Sequence, residues 1–292
     1  MSERTAVQNP MLGYADAIGW DYVPAAEALR WRGGEGGLFF TDVLRAQLRR
    51  LNPGIVDAGR ADAIIRQLTL LRADITGNRD LLTWLSGEQS VFVPEEGRER
   101  NVRLVDFDDL AANVYHVTDE WRQRNPRCAN RADVIFLVNG IPVALCETKN
   151  AGKPDGLAIG VDQVRRYHRE TPEMLLAPQL FEVTELLDFY YAATWSTSRK
   201  DLFNWREERG PTIGSGQIPM PRPAPRQMKT PGDRGRSNHR EVGLRRLTQP
   251  TKVGFAMVAA VSNRRVVFSG QVSMSEATSR RAKTSPPSPL LP

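Results

Sequence analysis

Apolar residues recur every three to four positions through the first third of the chain and every second position after Val91. Across residues 3–19, Val7, Met11, Tyr14 and Ile18 fall on one face, and the spacing predicts a helix. Gly33-Gly34 and Gly36-Gly37 mark a flexible loop. Thr41 is placed to cap a helix carrying Val43, Leu44, Leu48 and Leu51, which Asn52-Pro53-Gly54 stops. Residues 61–71 and 79–85 predict two further helices, so the first 85 residues read as helical.

After Val91 the period changes to two. Residues 91–93, 102–107 and 113–118 predict strands. Two β-branched-rich runs then flank Asn139-Gly140, a strong hairpin turn signal, giving a hairpin over 133–149. Residues 157–170 predict a helix with Leu157, Val161 and Val164 inward, ended by Thr171-Pro172, and 179–183 and 188–194 predict two strands. Helices, mixed strands, a helix and strands again describe an α/β or α+β domain. The division expected is a helical part over 1–90, a core over 91–208 and a disordered tail over 209–292, patterned only at 253–261 and 264–268.

Charge sharpens this division. The net charge is +6, yet from Gly210 onward fourteen Lys/Arg face three Asp/Glu, leaving residues 1–209 at −5. The high isoelectric point therefore belongs to the tail and says little about what the folded part binds. Cys128 and Cys146 form no zinc pattern, and Cys146 lies in an apolar strand, so a cytoplasmic, disulfide-free protein is expected. Residues 1–10 lack the apolar core of a signal peptide. The longest apolar run, 253–261, is far short of the ~20 residues a membrane span needs.

The chemistry sits on the hairpin. Asp133 opens its first run, while Glu147 and Lys149 close the second and, two apart on a strand, share a face. Two carboxylates and the Thr148 carbonyl suit a hard divalent cation, and Lys149 beside them suits water activation and phosphate charge. A strict two-residue turn would pair Asp133 with Cys146 and send Glu147 to the opposite sheet face. A common metal requires a bulge that pairs Asp133 with Glu147, and Pro142, which cannot donate to the ladder, is a natural place for one. The bland alternative is that these charges merely end strands at the solvent boundary. Gln163 and Tyr167, four apart on the following helix, share a face and could orient phosphate or a metal-held water, although such a pair alone is usually ordinary surface. Asp106, Asp108 and Asp109 read as a solvated turn. His168 reads as either a DNA-backbone contact or an exposed helix residue.

The arrangement Asp133, Glu147-x-Lys149 resembles the PD-(D/E)xK nuclease motif. The segment RADVIFLVNGIPVALCETKN, followed by QVRRY and TPEMLLAPQLF, resembles the N-terminal nuclease domain of the type I restriction enzyme R (HsdR) subunit. LNPG, NRDLLTWL and VRLVDFDD extend the likeness over most of residues 3–195. The resemblance implies a restriction-endonuclease-like α/β fold, its mixed sheet flanked by helices. It also implies Mg²⁺-dependent endonucleolytic cleavage of DNA, in a complex with modification and specificity subunits. Asp133, Glu147 and Lys149 then map to the motif, Gln163 and Tyr167 to a Q-x-x-x-Y motif, and Glu3 to an upstream acidic metal ligand. Arg165, Arg166 and Arg169, beside the motif, are candidate DNA contacts. Ala132 stands where the motif has proline, and Thr148 replaces an apolar residue.

The family's ATP-driven translocase needs a G-x-x-x-x-G-K-[ST] phosphate loop, and this chain has none. The expectation is an R subunit truncated before its motor. The rival readings are a different PD-(D/E)xK nuclease and a non-catalytic remnant that only binds DNA or partner subunits.

Overall fold

The computed structural model describes residues 4–150, 155–185, 189–196, 198 and 202–204. Glu3 and the 209–292 tail lie outside these. A π-helical turn, Arg4–Gln8, leads into helix α1 (Asn9–Ala17). There follow β1 (Asp21–Val23), α2 (Ala25–Trp31), α3 (Thr41–Leu51), α4 (Ala58–Thr69) and α5 (Ile75–Leu85). A two-stranded ribbon, β2 (Ser90–Val93) and β3 (Arg98–Asn101), precedes β4 (Tyr115–Arg124), β5 (Ala129–Val138) and β6 (Ile141–Thr148). Helix α6 (Gly156–Glu170) then crosses to β7 (Leu180–Thr184), β8 (Phe189–Ala193) and β9 (Phe203–Asn204).

Among the described residues the main sheet has seven strands in the order β1-β4-β5-β6-β7-β8-β9. β1 runs parallel to β4 and β6 parallel to β7; the other neighbours are antiparallel. This is a mixed α/β sheet, and each face carries its own core. One face packs Val134, Phe136, Val138, Ala144 and Cys146 against Met11, Ala15 and residues of α3 to α5. The other packs Ile135, Leu137, Leu145, Phe181 and Val183 against Val161, Val164 and Tyr167 of α6. Strands buried on both faces explain the near-continuous apolar runs around Asn139-Gly140.

Several local expectations change. The N-terminal part is not all helical, because Asp21–Val23 pairs with β4 at the sheet edge, a long-range contact that local spacing cannot reveal. The first helix buries Val7, Met11 and Ala15, leaving Tyr14 and Ile18 exposed, because the π-helical turn offsets its face. Thr41 is the first helical residue, not the cap, and its hydroxyl donates to the Phe39 carbonyl. Asp57 and Asp74 are side-chain caps of α4 and α5, accepting backbone N–H groups of their first turns. Residues 102–107 form no strand; Val102, Leu104 and Val105 are buried as an irregular segment, held where Asn52 brackets Arg103 through its backbone N–H and carbonyl.

The hairpin turn docks deep. Asn139 (φ 53°) and Gly140 (φ 81°) take the paired left-handed conformations of a type I′ turn. A Cβ on Gly140 would sit 2.7 Å from the Phe40 carbonyl oxygen, so only glycine fits. Asn139 is fully buried and ties Val114, Leu104 and Asn113 together through its amide.

Candidate metal and phosphate site

The register of the hairpin shifts once. Val138 pairs with Ile141 and Leu137 with Pro142, but beyond the shift Phe136 pairs with Ala144 and Val134 with Cys146. The extra residue is Val143, next to the proline that cannot serve the ladder. The shift brings Asp133 opposite Glu147 rather than Cys146. Glu147, like Leu145, then belongs to the face covered by α6, where Tyr167 meets it.

A second irregularity sets Asp133. Asp119 pairs with Val134 and Trp121 with Ala132, so Glu120 and Asp133 fall at the intervening step. Residues two apart on a regular strand share a face. Here Val134 packs with the α1-side core, whereas Ala132 and Trp121 pack with the α6-side core. Both strands change face at this step, and Glu120 carries the change with φ 52°. A left-handed non-glycine residue costs about 1–2 kcal/mol and persists only where its surroundings impose it. Gln8 supports the step, its amide donating to the Asp133 carbonyl (3.2 Å) and to Asp119 (3.3 Å). Arg131 clasps Glu120 at 2.5 Å. Sequence spacing identifies none of Gln8, Asp119, Glu120 or Arg131, because each acts through contacts between distant segments.

The three motif residues converge. Asp133 lies within β5, which begins four residues earlier than its apolar run suggests, and Glu147 is fully buried. The picture of charges ending strands at the solvent boundary therefore fails. The Lys149 ammonium sits 3.6 Å from Asp133 Oδ2, 3.4 Å from Glu147 Oε2 and 2.6 Å from the Thr148 carbonyl oxygen. These are the three oxygens that the sequence offered as metal ligands, and one cationic nitrogen touches all of them. Asp133 Oδ2 also accepts the Thr148 backbone N–H (2.8 Å) and hydroxyl (3.1 Å), which fixes that carboxylate. Among the described residues no three His, Cys, Asp or Glu side chains gather as a metal cluster. The donor set is two carboxylates and a carbonyl, all hard oxygen, and it already holds a cation, so it fits a divalent ion of the Mg²⁺ class.

Tyr167 is fully buried, not ordinary surface. Its hydroxyl lies 2.9 Å from Glu147 Oε1 and 2.6 Å from the Arg131 carbonyl, and it accepts from the Gln163 amide at 2.6 Å. Burial, and then the charge of Asp133, push the Glu147 carboxyl well above the usual range, against the pull of Lys149 and the Tyr167 hydrogen bond. Burial and the Glu147 charge likewise raise the Tyr167 phenol.

The predicted basic strip is divided. Arg166 bonds Asn130 (3.1 Å) and lies in a groove beside Gln163. Arg165 pairs with Asp162 (2.9 Å). Arg169 is exposed. His168 is no exposed residue: its Nδ1 meets the Val164 carbonyl, and its ring packs edge-on against Trp195. The Asp106 carboxylate is a turn, accepting the N–H groups of Asp108 and Asp109. No helix among the described residues is long and apolar enough to cross a membrane.

Comparison with known proteins bears on this geometry. Residues 1–196 match the family model described as type I restriction enzyme R protein N terminus. The chain belongs to this family. It is 25% identical over 198 residues to the type I restriction enzyme HindI endonuclease subunit of Haemophilus influenzae, a match covering 63% of this chain and 18% of that protein. It is 30% identical over 118 residues to the EcoprrI endonuclease subunit of Escherichia coli, covering 39% of this chain and 37% of that protein. A putative MjaVIIP endonuclease subunit of Methanocaldococcus jannaschii is 28% identical over 82 residues, covering 28% and 8%. The chain thus spans well under half the length of these curated relatives. Its matched segment contains the whole hairpin, Lys149 and α6.

Proposed function

We propose that this R-protein N-terminal region is a Mg²⁺-dependent endonuclease acting on DNA, with a PD-(D/E)xK core and a cytoplasmic place of work. We read it as the cutting portion of a type I restriction system that operates with modification and specificity subunits. The observation that carries the reading is the meeting of Asp133, Glu147 and the Thr148 carbonyl around the Lys149 ammonium.

Asp133, Glu147 and the Thr148 carbonyl would hold the ion. When bound, it supplies positive charge against the scissile phosphate and acidifies water. Lys149 orients the attacking water in line with the phosphorus and offsets the negative charge that develops on the phosphoryl oxygens. Asp133 stays in place through its two bonds from Thr148. Tyr167 donates to the Glu147 carboxylate and holds it, and Gln163, which bonds Tyr167 and lines the adjoining groove, orients phosphate or a metal-held water.

Incubating the purified chain with supercoiled plasmid tests this. Nicking that requires Mg²⁺ and falls by about 10²–10³ in Lys149→Ala is expected. Equal nicking by both proteins removes the catalytic assignment. No nicking by the parent, with intact binding to modification and specificity subunits, favours the non-catalytic remnant.

A further inference from the structure

Beside the site lies a groove of about 640 Å³ lined by Arg122, Arg124, Arg131, Arg166, Gln163 and Asn130, together with Glu35 and Glu170. Four arginines face two carboxylates there. The groove meets the site at two points. Gln163 lines it and also bonds Tyr167, and Arg131, another lining residue, accepts the Tyr167 hydroxyl on its carbonyl.

The arginines are placed against the interests of the sheet. Arg122 and Arg131 are directly paired across β4 and β5. Like charges at such positions are destabilising. Arg131 is partly compensated by Glu120, and Arg124 by Glu35 at 2.6 Å. Arg122 has no carboxylate within ion-pair distance among the described residues, and its charge helps, behind Arg124, to hold the half-buried Glu35 carboxyl low. Asn130 aims Arg166 into the groove by accepting from its Nε, while its own amide donates to Glu170 and Thr171. A cross-strand arginine pair, two more arginines and a link through Gln163 and Arg131 to Tyr167 together describe a polyanion track.

We infer that this groove carries the phosphates of the DNA strand leading to the scissile bond, with Arg122 and Arg131 as its principal contacts. Arg124 and Arg166 flank that path, whereas Arg165 and Arg169 lie outside the groove. The inference rests on the nuclease reading for the identity of the polyanion. It replaces the α6 strip with a track built mainly on β4 and β5.

The test uses the full chain and a short fluorescently labelled duplex without divalent metal, so that binding is read apart from cutting. Anisotropy titrations over a salt series should show weaker binding by Arg122→Ala/Arg131→Ala. The slope of log affinity against log salt should flatten by roughly 0.9 per arginine removed. Thermal melts beside the titrations report on folding, since this variant relieves a like-charge pair but also loses the Glu120 clasp. Arg122→Ala/Arg124→Ala, both exposed, repeats the test without touching the Glu120 clasp. Arg165→Ala/Arg169→Ala should change the slope less. Unchanged affinity and slope in both groove variants, or no salt-dependent binding by the parent, overturns the inference. Cutting by the parent with unaltered binding in the variants leaves the nuclease reading standing alone. Weakened binding in the variants, with no metal-dependent cutting by the parent, leaves the groove standing alone.

Discussion

The Tyr167 hydroxyl lies between Glu147 Oε1 at 2.9 Å and the Arg131 carbonyl at 2.6 Å, so one phenolic proton faces two acceptors. The Gln163 amide donates to the same phenol oxygen. Tyr167 therefore donates to Glu147 and to Arg131 in a shared bond, which favours the ionised carboxylate. Burial pushes the Glu147 carboxyl up, and the phenol bond pulls it back down.

Tyr167→Phe follows from this. The phenol bond lowers the Glu147 proton affinity, and its loss raises it further. The pH at which metal-dependent cutting reaches half its maximum should move upward, and stability should fall by about 1–3 kcal/mol for the buried groups left unpaired. A pH–rate profile beside a urea melt measures both. An unmoved profile separates Tyr167 from Glu147 function.

Lys149→Ala should separate cutting from binding. The ammonium sits among the three candidate ligand oxygens, so its removal takes away a competing positive charge. Mn²⁺ should bind the variant at least as tightly as the parent while nicking collapses. Isothermal titration gives the affinity, and weaker binding would mean that Lys149 organises the ligands.

Gly160 sets how closely α6 approaches the sheet. A Cβ there would fall 2.4 Å from Val183 Cγ1. Gly160→Ala should cost about 1–3 kcal/mol as overpacking and push Gln163 and Tyr167 outward, lowering cutting more than DNA binding. Thermal melts and parallel binding and nicking assays check this.

Glu182 is buried beside Cys146, its partner on β6, and among the described residues its Oε1 has no hydrogen-bond partner. Burial lifts its carboxyl from 4.5 to about 8. The folded state therefore holds this proton more tightly than the unfolded chain does. Its contribution is full below about 4.5 and is lost as pH rises through about 8. Glu182→Gln should flatten the decline in stability across that window, as denaturant melts at several pH values would show. An unaltered decline would mean that Glu182 is solvated or paired in solution.

The hairpin was legible because its signals are local: alternating apolar runs, Asn139-Gly140, and acids and a lysine within a few residues of one another. Even the need for a bulge follows from parity, and the structure places the extra residue at Val143, beside Pro142. The helix carrying Gln163 and Tyr167 was equally plain from its period. What spacing could not supply depends on distant partners. Three residues of β1 form a strand only because β4 offers an edge. Glu120 looks like any strand glutamate until its left-handed backbone is seen opposite Asp133. Arg122 and Arg131 become a pair only once the register of β4 and β5 is fixed.

Mn²⁺ binding to the full chain, followed by electron paramagnetic resonance in the parent, Asp133→Asn and Glu147→Gln, tests the shared oxygen pocket most directly. One tightly held ion in the parent that both substitutions release is the predicted result. Equal Mn²⁺ occupancy in all three proteins would contradict it.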